Sequence, residues 1–271
     1  MVTLDALVLP AFDDLEGLPS ETAPWHERHE LEHTLEIPGL PVPLAHDRRL
    51  GVAPTGVGKA AAATTVTALL SSPALDIGDA LVCSVGVAGG PPEIPVGSVV
   101  VADTVLDWDD KCRFGGGELA LDPYTGDQGV FELDADLVER ARAVATGVEL
   151  SRPTASNERP VVTGGVNLCG DELWHGAELA DQVGWLLDER GVGEYRATEM
   201  EDVGTASALA RFGRLDRYLT VRGISNHDRP AGDRDPAESL LDPAFESGFG
   251  VAAENAARVA GAVLEDIRDV S

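Results

Sequence analysis

Short apolar segments alternate with helix-type segments along the whole chain, and this alternation restricts the fold more than any other feature of the sequence. Apolar runs that predict strands cover residues 5–10, 50–53, 80–85, 96–102, 161–164 and 218–224. Segments typical of helices cover residues 59–70, 131–144, 171–190, 201–212 and 245–267. Strands that alternate with helices usually build a parallel or mixed sheet with helices on both faces. We therefore expect a three-layer α/β/α fold that forms one domain over residues 1–271.

The length and the hydrophobic content suit one large globular domain. The 271 residues are 44% hydrophobic, and no apolar run approaches the roughly 20 residues that a membrane-spanning helix needs. The start of the chain lacks a basic region followed by a long apolar segment, so we expect neither a secreted nor a transmembrane protein. Cys83, Cys112 and Cys169 are far apart in sequence. This spacing predicts no disulfide framework and no metal site, and it fits a reducing cytoplasm.

The chain is strongly acidic, with a formal net charge of -27 and a sequence pI near 4.3. Such a surface repels nucleic acids and anionic membranes, so we expect neither as a partner. The acidic residues are spread along the chain rather than gathered in a tail, which favours a surface adapted to a high-salt cytoplasm over a docking surface for a basic partner. Lys59 and Lys111 are the only lysines, so arginine supplies nearly all of the positive charge.

Two glycine-rich segments look like phosphate-binding loops but lack the required residues. In residues 53–60 an alanine replaces the first glycine of a P-loop, and another alanine follows the lysine. In residues 86–90 the glycines lead through two prolines into a strand instead of a helix, so no dinucleotide site and no cofactor are expected. We predict that residues 86–90 form a turn between two strands. Residues 109–129 and 226–242 are rich in Gly, Asp and Pro, which predicts two mobile lids.

The order of these segments resembles that of a known enzyme superfamily. Gly56-Val-Gly-Lys before an alanine-rich helix, followed by Val85-Gly-Val-Ala-Gly-Gly before a valine-rich strand, is similar to the purine nucleoside phosphorylase and methylthioadenosine/adenosylhomocysteine nucleosidase superfamily. Within it the chain most resembles the purine nucleoside permease family. The shared motifs are Met200-Glu-Asp, Trp174-His-Gly and Ser225-Asn-x-Asp-Arg-Pro, and Ile37-Pro-Gly-Leu and Glu21-Thr-Ala-Pro-Trp fit the family's N-terminal pattern.

The resemblance implies a fold, an assembly and a reaction. The central mixed sheet would partly close into a barrel, and the protein would be a homo-oligomer, either a dimer or a hexamer. The reaction would be cleavage of the N-glycosidic bond of a purine nucleoside in purine salvage. A carrier that crosses lipid needs long apolar helices or a closed barrel, and the sequence predicts neither. The family name therefore leaves open only a soluble nucleoside-binding protein linked to nucleoside transport.

Cleavage of a purine–ribose bond develops positive charge on the sugar and negative charge on the base. A site therefore needs a clamp for the sugar, a donor at the base and a nucleophile below C1′. Glu201 begins a predicted helix, and the resemblance implies that its carboxylate accepts both ribose hydroxyls while Met200 packs on the sugar. The helix dipole alone also favours an acid at this position.

The base is expected at the end of the predicted strand 218–224, where open α/β folds place their ligands. Many members of the superfamily carry Ser-Asp where this chain has Ser225-Asn226, so the general acid for base N7 is missing from its usual position. Either Asn226 donates to N7 and O6, which would suit a 6-oxopurine, or Asp228 supplies the acid. The resemblance also implies that the purine contacts Trp174 and His175 and that the pocket wall includes the backbone of Gly86, Val87, Ala88 and Gly89.

The first loop favours water over phosphate as the nucleophile. Phosphorolytic relatives supply arginine from this loop, whereas here the loop carries Asp13, Asp14, Glu16 and Glu21. Acids at this place resemble the nucleosidase pattern, in which a carboxylate activates water as general base. Glu21 is the predicted base because its spacing to Trp25 matches the permease family. The alternative is phosphorolysis, with the phosphate held by Arg48, by Arg49 or by an arginine of a neighbouring subunit.

Overall fold

The computed structural model describes residues 1–13, 15, 17–154, 156–230, 232, 234–240 and 244–270, and the backbone alone for 239, 240, 244–247 and 268–270. Its strands are β1 (Val2–Thr3), β2 (Ala6–Leu9), β3 (His33–Leu35), β4 (Leu44–His46), β5 (Leu50–Val52), β6 (Leu75–Asp76), β7 (Leu81–Gly90), β8 (Val99–Val101), β9 (Thr104–Asp107), β10 (Lys111–Arg113), β11 (Leu119–Leu121), β12 (Val130–Glu132), β13 (Val162–Thr163), β14 (Val166–Cys169), β15 (Tyr195–Glu199) and β16 (Tyr218–His227). Its α-helices are α1 (Ala23–Arg28), α2 (Lys59–Ser71), α3 (Ala135–Ala145), α4 (Ala177–Arg190), α5 (Asp202–Arg211), α6 (Pro236–Leu240) and α7 (Ala244–Val270), and a 3-10 helix covers Leu215–Arg217.

Twelve of the described strands form one mixed sheet around β7 and β16, two long parallel strands. One edge of β7 pairs with β16 along its length, and the other pairs first with β2 and then, at Gly89, with β15. The main path runs β12-β9-β14-β15-β7-β2-β5-β4-β3, and β16, β8 and β13 branch from it. The pairings leave β12 and β3 at the two ends of this path, so the described strands form no closed barrel.

The turn predicted over residues 86–90 is wrong, because these residues continue β7 as a strand. Their pairing with β16 extends from Gly86, opposite Arg222, to Gly90, opposite His227. The glycines do not reverse the chain but leave room for other side chains to approach the strand. A Cβ at Gly86 would lie 2.5 Å from Oε1 of Glu21. The chain leaves the strand only after Gly90, in a turn where the N–H of Ile94 donates to the carbonyl of Pro91 at 3.0 Å.

The helices pack on the sheet in two groups. Helix α7 packs on β7, β8 and β16 and also contacts α3, whereas α2 packs on α5, which contacts β9 and β16. Helix α7 lies so close to β16 that a Cβ at Gly223 would come within 2.1 Å of the carbonyl oxygen of Ala252. The predicted α/β/α fold with a mixed sheet is confirmed. Among the helices of the described residues, none combines the length and the hydropathy that a membrane crossing needs.

Two predicted helices begin later than the sequence pattern indicates. Residues 130–132 pair with β9 as a strand, and α3 begins only after Asp134, whose side chain caps it by accepting the N–H of Leu137 at 2.8 Å. In the predicted helix 171–190, the first six residues are irregular and α4 begins after Gly176, which has a φ of 144°. That backbone conformation is incompatible with a helix, so the helix starts at the next residue.

The two segments predicted as lids differ in how they are attached. Residues 109–129 contain the hairpin β10–β11 and are tied to α4 by a buried ion pair between Asp110 and Arg190. The segment 226–242 is described only in part, since residues 231, 233, 241 and 242 lie outside the described residues. The mobility of both segments stays a prediction.

Candidate active site

A cavity of about 640 Å³ opens at the carboxyl ends of β7, β15 and β16. This is the edge of the sheet at which α/β folds bind their ligands. Its lining combines apolar side chains, among them Val57, Leu173 and side chains of the first loop, with polar side chains at the ends of β15 and β16. The lining residues are Ala11, Phe12, Leu15, Gly17, Leu18, Val57, Val87, Ala88, Gly89, Glu172, Leu173, Trp174, Thr198, Glu199, Met200, Glu201, Ser225, Asn226 and Asp228.

Met200 and Glu201, the predicted sugar contacts, both line this cavity. Glu201 lies at the N-terminal cap of α5, where the chain leaves β15, and its side chain is buried. The backbone N–H of Gly58 donates to Glu201 Oε1 at 3.1 Å. Burial raises the pKa of Glu201 to about 7, although the nearby Arg222 guanidinium opposes this shift. A carboxylate in this position has acceptor capacity left for a ligand.

Arg222 is a functional candidate that the sequence reasoning missed. Its side chain is buried in the middle of β16, and its Nη2 lies 2.5 Å from Asp202 Oδ1 and 2.9 Å from Glu199 Oε2. The same Nη2 donates to Ser84 Oγ at 2.8 Å. An arginine within an apolar strand was the available signal, because a buried guanidinium requires carboxylate or polar partners.

The cluster around Arg222 contains more carboxylates than guanidinium groups. Glu199, Glu201 and Asp202 all pair with Arg222, and Glu21 also lies close to it. Burial raises the pKa of Glu199 to about 8, whereas the Arg222 guanidinium beside Asp202 keeps the pKa of that carboxyl below its usual range despite burial. Burial thus disfavours the ionised form at Glu199 and Glu201, whereas Arg222 favours it at Asp202.

Glu21, the predicted general base, is buried at the side of the cavity. Its Oε2 accepts the N–H of Ala11 and its Oε1 accepts the N–H of Val87, each at 2.7 Å. Both of these partners line the cavity, but Glu21 itself does not. Burial raises the pKa of Glu21, with Arg222 as the main opposing influence. The carboxylate thus lies behind the wall formed by Ala11 and Val87.

The other acids of the first loop have different roles. Asp13 accepts hydrogen bonds from Ser20 and Thr22, so it stabilises the turn that leads to Glu21. Asp14 and Glu16 lie outside the described residues. The pocket wall also differs from the prediction, since Val87, Ala88 and Gly89 line the cavity but Gly86 does not. The space beside Gly86 is filled by Glu21 and Arg222.

Asn226 and Asp228 both line the cavity, and their partners restrict what each side chain offers. Ser225 Oγ donates to Asn226 Oδ1 at 2.8 Å, and Asn226 Nδ2 donates one hydrogen to the carbonyl of His227 at 3.0 Å. A carbonyl can only accept, so this contact fixes the orientation of the amide and leaves the second Nδ2 hydrogen available.

Asp228 offers acceptors. Tyr195 Oη donates to its Oδ2 and Arg229 Nε donates to its Oδ1, each at 2.7 Å. Both carboxyl oxygens act as acceptors in these contacts, so Asp228 offers a ligand acceptors rather than a donor. Of the two alternatives left by the sequence, this geometry favours Asn226 as the donor toward the base.

Trp174 lines the cavity, whereas His175 does not, contrary to the prediction. Trp174 Nε1 donates to Thr198 Oγ1 at 3.2 Å, and its ring packs against Trp108 and Tyr195. The N–H of Gly176 donates to the carbonyl of Asp228 at 2.9 Å, which fixes the backbone at this bend. The cavity lining in this segment therefore consists of Glu172, Leu173 and Trp174 and ends before His175.

Comparisons with known proteins identify the family of this chain and its fold. The family model named "Phosphorylase superfamily" matches residues 15–265. The purine nucleoside permease of Candida albicans is 26% identical over 300 aligned positions, which cover 91% of this chain and 72% of that protein. The futalosine hydrolase of Streptomyces coelicolor is 37% identical over 184 positions, covering 67% of this chain and 68% of that protein.

The fold has also been seen in solved structures. The 5′-methylthioadenosine/S-adenosylhomocysteine nucleosidase of Neisseria meningitidis, solved with methylthio-immucillin-A, superposes with a TM-score of 0.69. The match covers 98% of this chain and all of the other chain at 19% sequence identity. At this identity the likeness concerns the fold alone.

Proposed function

Because this chain belongs to the phosphorylase superfamily, we propose that it is a nucleosidase, which hydrolyses the N-glycosidic bond of a purine nucleoside with water as the nucleophile. The cavity supports the three roles that this reaction needs. Glu201 and Met200 hold the ribose, Asn226 donates to the departing base, and Trp174 contacts the purine ring. Glu21 is the base that activates water, and because it lies behind Ala11 and Val87 the water must reach its carboxylate between these two residues.

The observation that carries the choice of water is that the cations near the acidic side of the cavity already have carboxylate partners. The Arg222 guanidinium is paired with Asp202 and Glu199. Arg229 is paired with Asp228 at 2.7 Å. A phosphate would require cations free to bind it, and among the described residues these guanidinium groups are committed elsewhere.

The start of α2 gives phosphate no better site. Anions bind helix N-termini through free backbone N–H groups. Here the N–H of Gly58 donates to Glu201 and the N–H of Lys59 donates to Asp171 Oδ1 at 2.8 Å. Arg48 and Arg49 do not line the cavity. Phosphorolysis would thus depend on an arginine from a neighbouring subunit.

In the proposed reaction a water molecule attacks C1′ of the ribose. As the new C1′–O bond forms, the C1′–N9 bond breaks and its electron pair leaves with the purine. Glu21 takes the proton of the water, and the N–H of Asn226 stabilises the negative charge that develops at the base. The base then takes up a proton from solvent, so the products are free purine and ribose. The Glu201 carboxylate accepts hydrogen bonds from the ribose hydroxyls throughout.

The apolar part of the cavity supports a substrate with an apolar 5′ substituent. Phe12, Leu15, Leu18, Val57 and Leu173 also line the cavity, and none of them is proposed to hold the base or the ribose. Burial of an apolar group there contributes roughly 25 cal/mol per Å², whereas a free 5′-hydroxyl would find few partners. We therefore expect 5′-methylthio- or 5′-alkylthio-nucleosides to be cleaved more efficiently than nucleosides with a free 5′-hydroxyl.

One product analysis tests the reaction. The purified protein is incubated with adenosine, inosine and 5′-methylthioadenosine, with and without phosphate, and free base and sugar products are quantified. Phosphate-independent release of free sugar supports the proposal. Ribose 1-phosphate as the main product would refute water as the nucleophile. Stoichiometric binding without turnover would favour a nucleoside-binding protein linked to transport, the role suggested by the name of the Candida albicans relative.

A further inference from the structure

Lys59, the first residue of α2, binds two carboxylates at the carboxyl end of β9. Its Nζ lies 2.8 Å from Asp107 Oδ1 and 2.7 Å from Asp109 Oδ2, and the side chain is only 18% exposed. Asp107 is the last residue of β9, and Asp109 lies in the turn that follows. The ammonium group therefore neutralises two carboxylates that would otherwise face each other across this turn.

Asp171 completes a closed ring with Lys59 and Asp109. The N–H of Lys59 donates to Asp171 Oδ1 at 2.8 Å, and the N–H of Asp171 donates to Asp109 Oδ2 at 2.7 Å. Asp109 Oδ2 also accepts a hydrogen bond from Lys59 Nζ, so three contacts link Lys59, Asp171 and Asp109 into a closed ring. The ring joins the start of α2 to the carboxyl ends of β9 and β14.

The ring lies one residue away from a contact with Glu201. The N–H of Gly58 donates to Glu201 Oε1 at 3.1 Å. Gly58 has a φ of 93°, and a Cβ there would approach Asp171 Oδ1 to 3.0 Å, so this position requires glycine. A second contact comes from α5, because a Cβ at Gly204 would lie 2.1 Å from the carbonyl oxygen of Lys59. Displacement of Lys59 would therefore move both the donor to Glu201 and the helix that begins beside it.

We propose that Lys59 is a positioning residue for the Glu201 carboxylate and thereby sets the preference of the site for ribose over 2′-deoxyribose. The proposal rests on the function proposed above, in which Glu201 accepts the ribose hydroxyls. Lys59 acts through the Gly58 N–H and the α2–α5 contact without touching the substrate. Loss of the ammonium leaves Asp107 and Asp109 to repel each other, which opens the turn and loosens the start of α2.

The choice of lysine at this position agrees with the proposal. Lys59 is one of two lysines in a chain whose other basic side chains are mostly arginine. The compact ammonium group has three donors and reaches the carboxylates on both sides of this tight turn at 2.8 Å and 2.7 Å. Burial raises the pKa of Asp107 and the ammonium of Lys59 opposes this, so the pair depends on the charge at this position.

The test compares kcat/KM for adenosine and 2′-deoxyadenosine in wild type and in Lys59→Met, which keeps the length of the side chain and removes its charge. We expect the ratio of the two values to fall about tenfold in Lys59→Met, because only the ribonucleoside uses the full contact with Glu201. The matched control is Lys111→Met, which removes the other lysine and leaves the ring intact; its ratio should equal that of wild type. Equal losses for both substrates, or an unchanged ratio, would overturn the proposal.

Two further measurements keep the inference separate from the proposed function. If wild type cleaves neither nucleoside, the proposed function fails, and hydrogen exchange at the Gly58 amide then decides the inference. We expect that exchange to be about tenfold faster in Lys59→Met than in wild type or Lys111→Met, and equal rates would overturn it. If Lys59→Met does not fold, Asp109→Ala removes the oxygen that accepts from both Lys59 and Asp171 and so opens the same ring at a side chain that is 30% exposed, with the same outcomes expected.

Discussion

Glu201 Oε2 lies 3.7 Å from Nη1 of Arg222, whereas the neighbouring Asp202 lies 2.5 Å from Nη2 of the same guanidinium. Asp202 thus takes the close ion pair, and Glu201 is left only partly neutralised at the edge of the cavity. This division of roles explains why burial dominates the pKa of Glu201 and raises it to about 7. Glu201 retains the acceptor capacity that a ribose clamp needs.

We predict that kcat/KM rises with pH through about 7 and then levels off. The proposed roles of Glu201 and Glu21 both require the carboxylate form, and burial raises the pKa of both groups. Below these pKa values the groups are protonated and the site is inactive; above them they are ionised and active. Initial rates between pH 5 and pH 9 with a 5′-methylthio-nucleoside check this prediction. A profile that stays flat down to pH 5 would exclude both carboxylates from the reaction.

Glu201→Gln should lower turnover by about a hundredfold without unfolding the protein. The glutamine carbonyl oxygen still accepts the N–H of Gly58, so the local structure is retained. The variant loses the negative charge and one acceptor that would face the ribose hydroxyls. Steady-state kinetics and a thermal unfolding curve provide the measurement, and Glu178→Gln, the same substitution at an exposed residue in the first turn of α4, serves as the charge control. Wild-type turnover in Glu201→Gln would remove this residue from the site.

Gly86→Ala should displace the proposed general base. The new Cβ would lie 2.5 Å from Glu21 Oε1 and 2.8 Å from Arg222 Nη1, and both side chains are buried, so at least one must move. A displacement of about 1 Å can lower the rate by about a hundredfold. The matched control is Gly184→Ala in α4, where a Cβ meets nothing within 4 Å. If both variants retain wild-type kcat/KM, the position of Glu21 does not matter for the reaction.

Asp228→Asn should lower activity more than His227→Ala. Asp228 accepts from both Tyr195 and Arg229, and an asparagine would direct an N–H toward one of these donors. We expect a loss of about tenfold or more in kcat/KM, because a buried donor is left without its acceptor. His227 Nε2 contacts only the carbonyl of Ile94 in the described residues and does not line the cavity. The opposite ranking of the two variants would show that the base contact is placed wrongly.

The sequence predicted the fold through the order of its segments, and the structure differs where a local pattern allows two interpretations. Glycines in residues 86–90 suggested a turn, but they allow Glu21 and Arg222 to approach a strand. Sequence periodicity cannot distinguish a glycine in a turn from a glycine in a strand that leaves room for a neighbouring side chain, because the residue lacks a side chain in both places. Residues 131–132 likewise looked helical, yet they pair with β9.

The candidate site was predicted in part. Met200, Glu201, Asn226, Asp228 and Trp174 line one cavity, as the motifs implied. Two features of the site depend on side-chain directions, which motif spacing does not encode. Glu21 lies behind the cavity wall, and His175 does not line the cavity. Arg222 was missed because its carboxylate partners Glu199 and Asp202 come from a different strand end, about twenty residues earlier in the chain. The homo-oligomer and the single domain stay predictions.

The scarcity of lysine has a practical consequence for chemical labelling. Lys111 donates to the carbonyl of Trp108 and its Nζ lies 3.2 Å from the centroid of that ring, while Lys59 is held by the aspartates on either side of Trp108. Every side-chain amine of the protein thus lies at one turn near the cavity. Burial lowers the pKa of Lys111 to about 8, so of the two lysines Lys111 should react first with an acylating reagent. A dye or a solid support attached through lysine would therefore report on this turn, or obstruct it, rather than sample the surface at random.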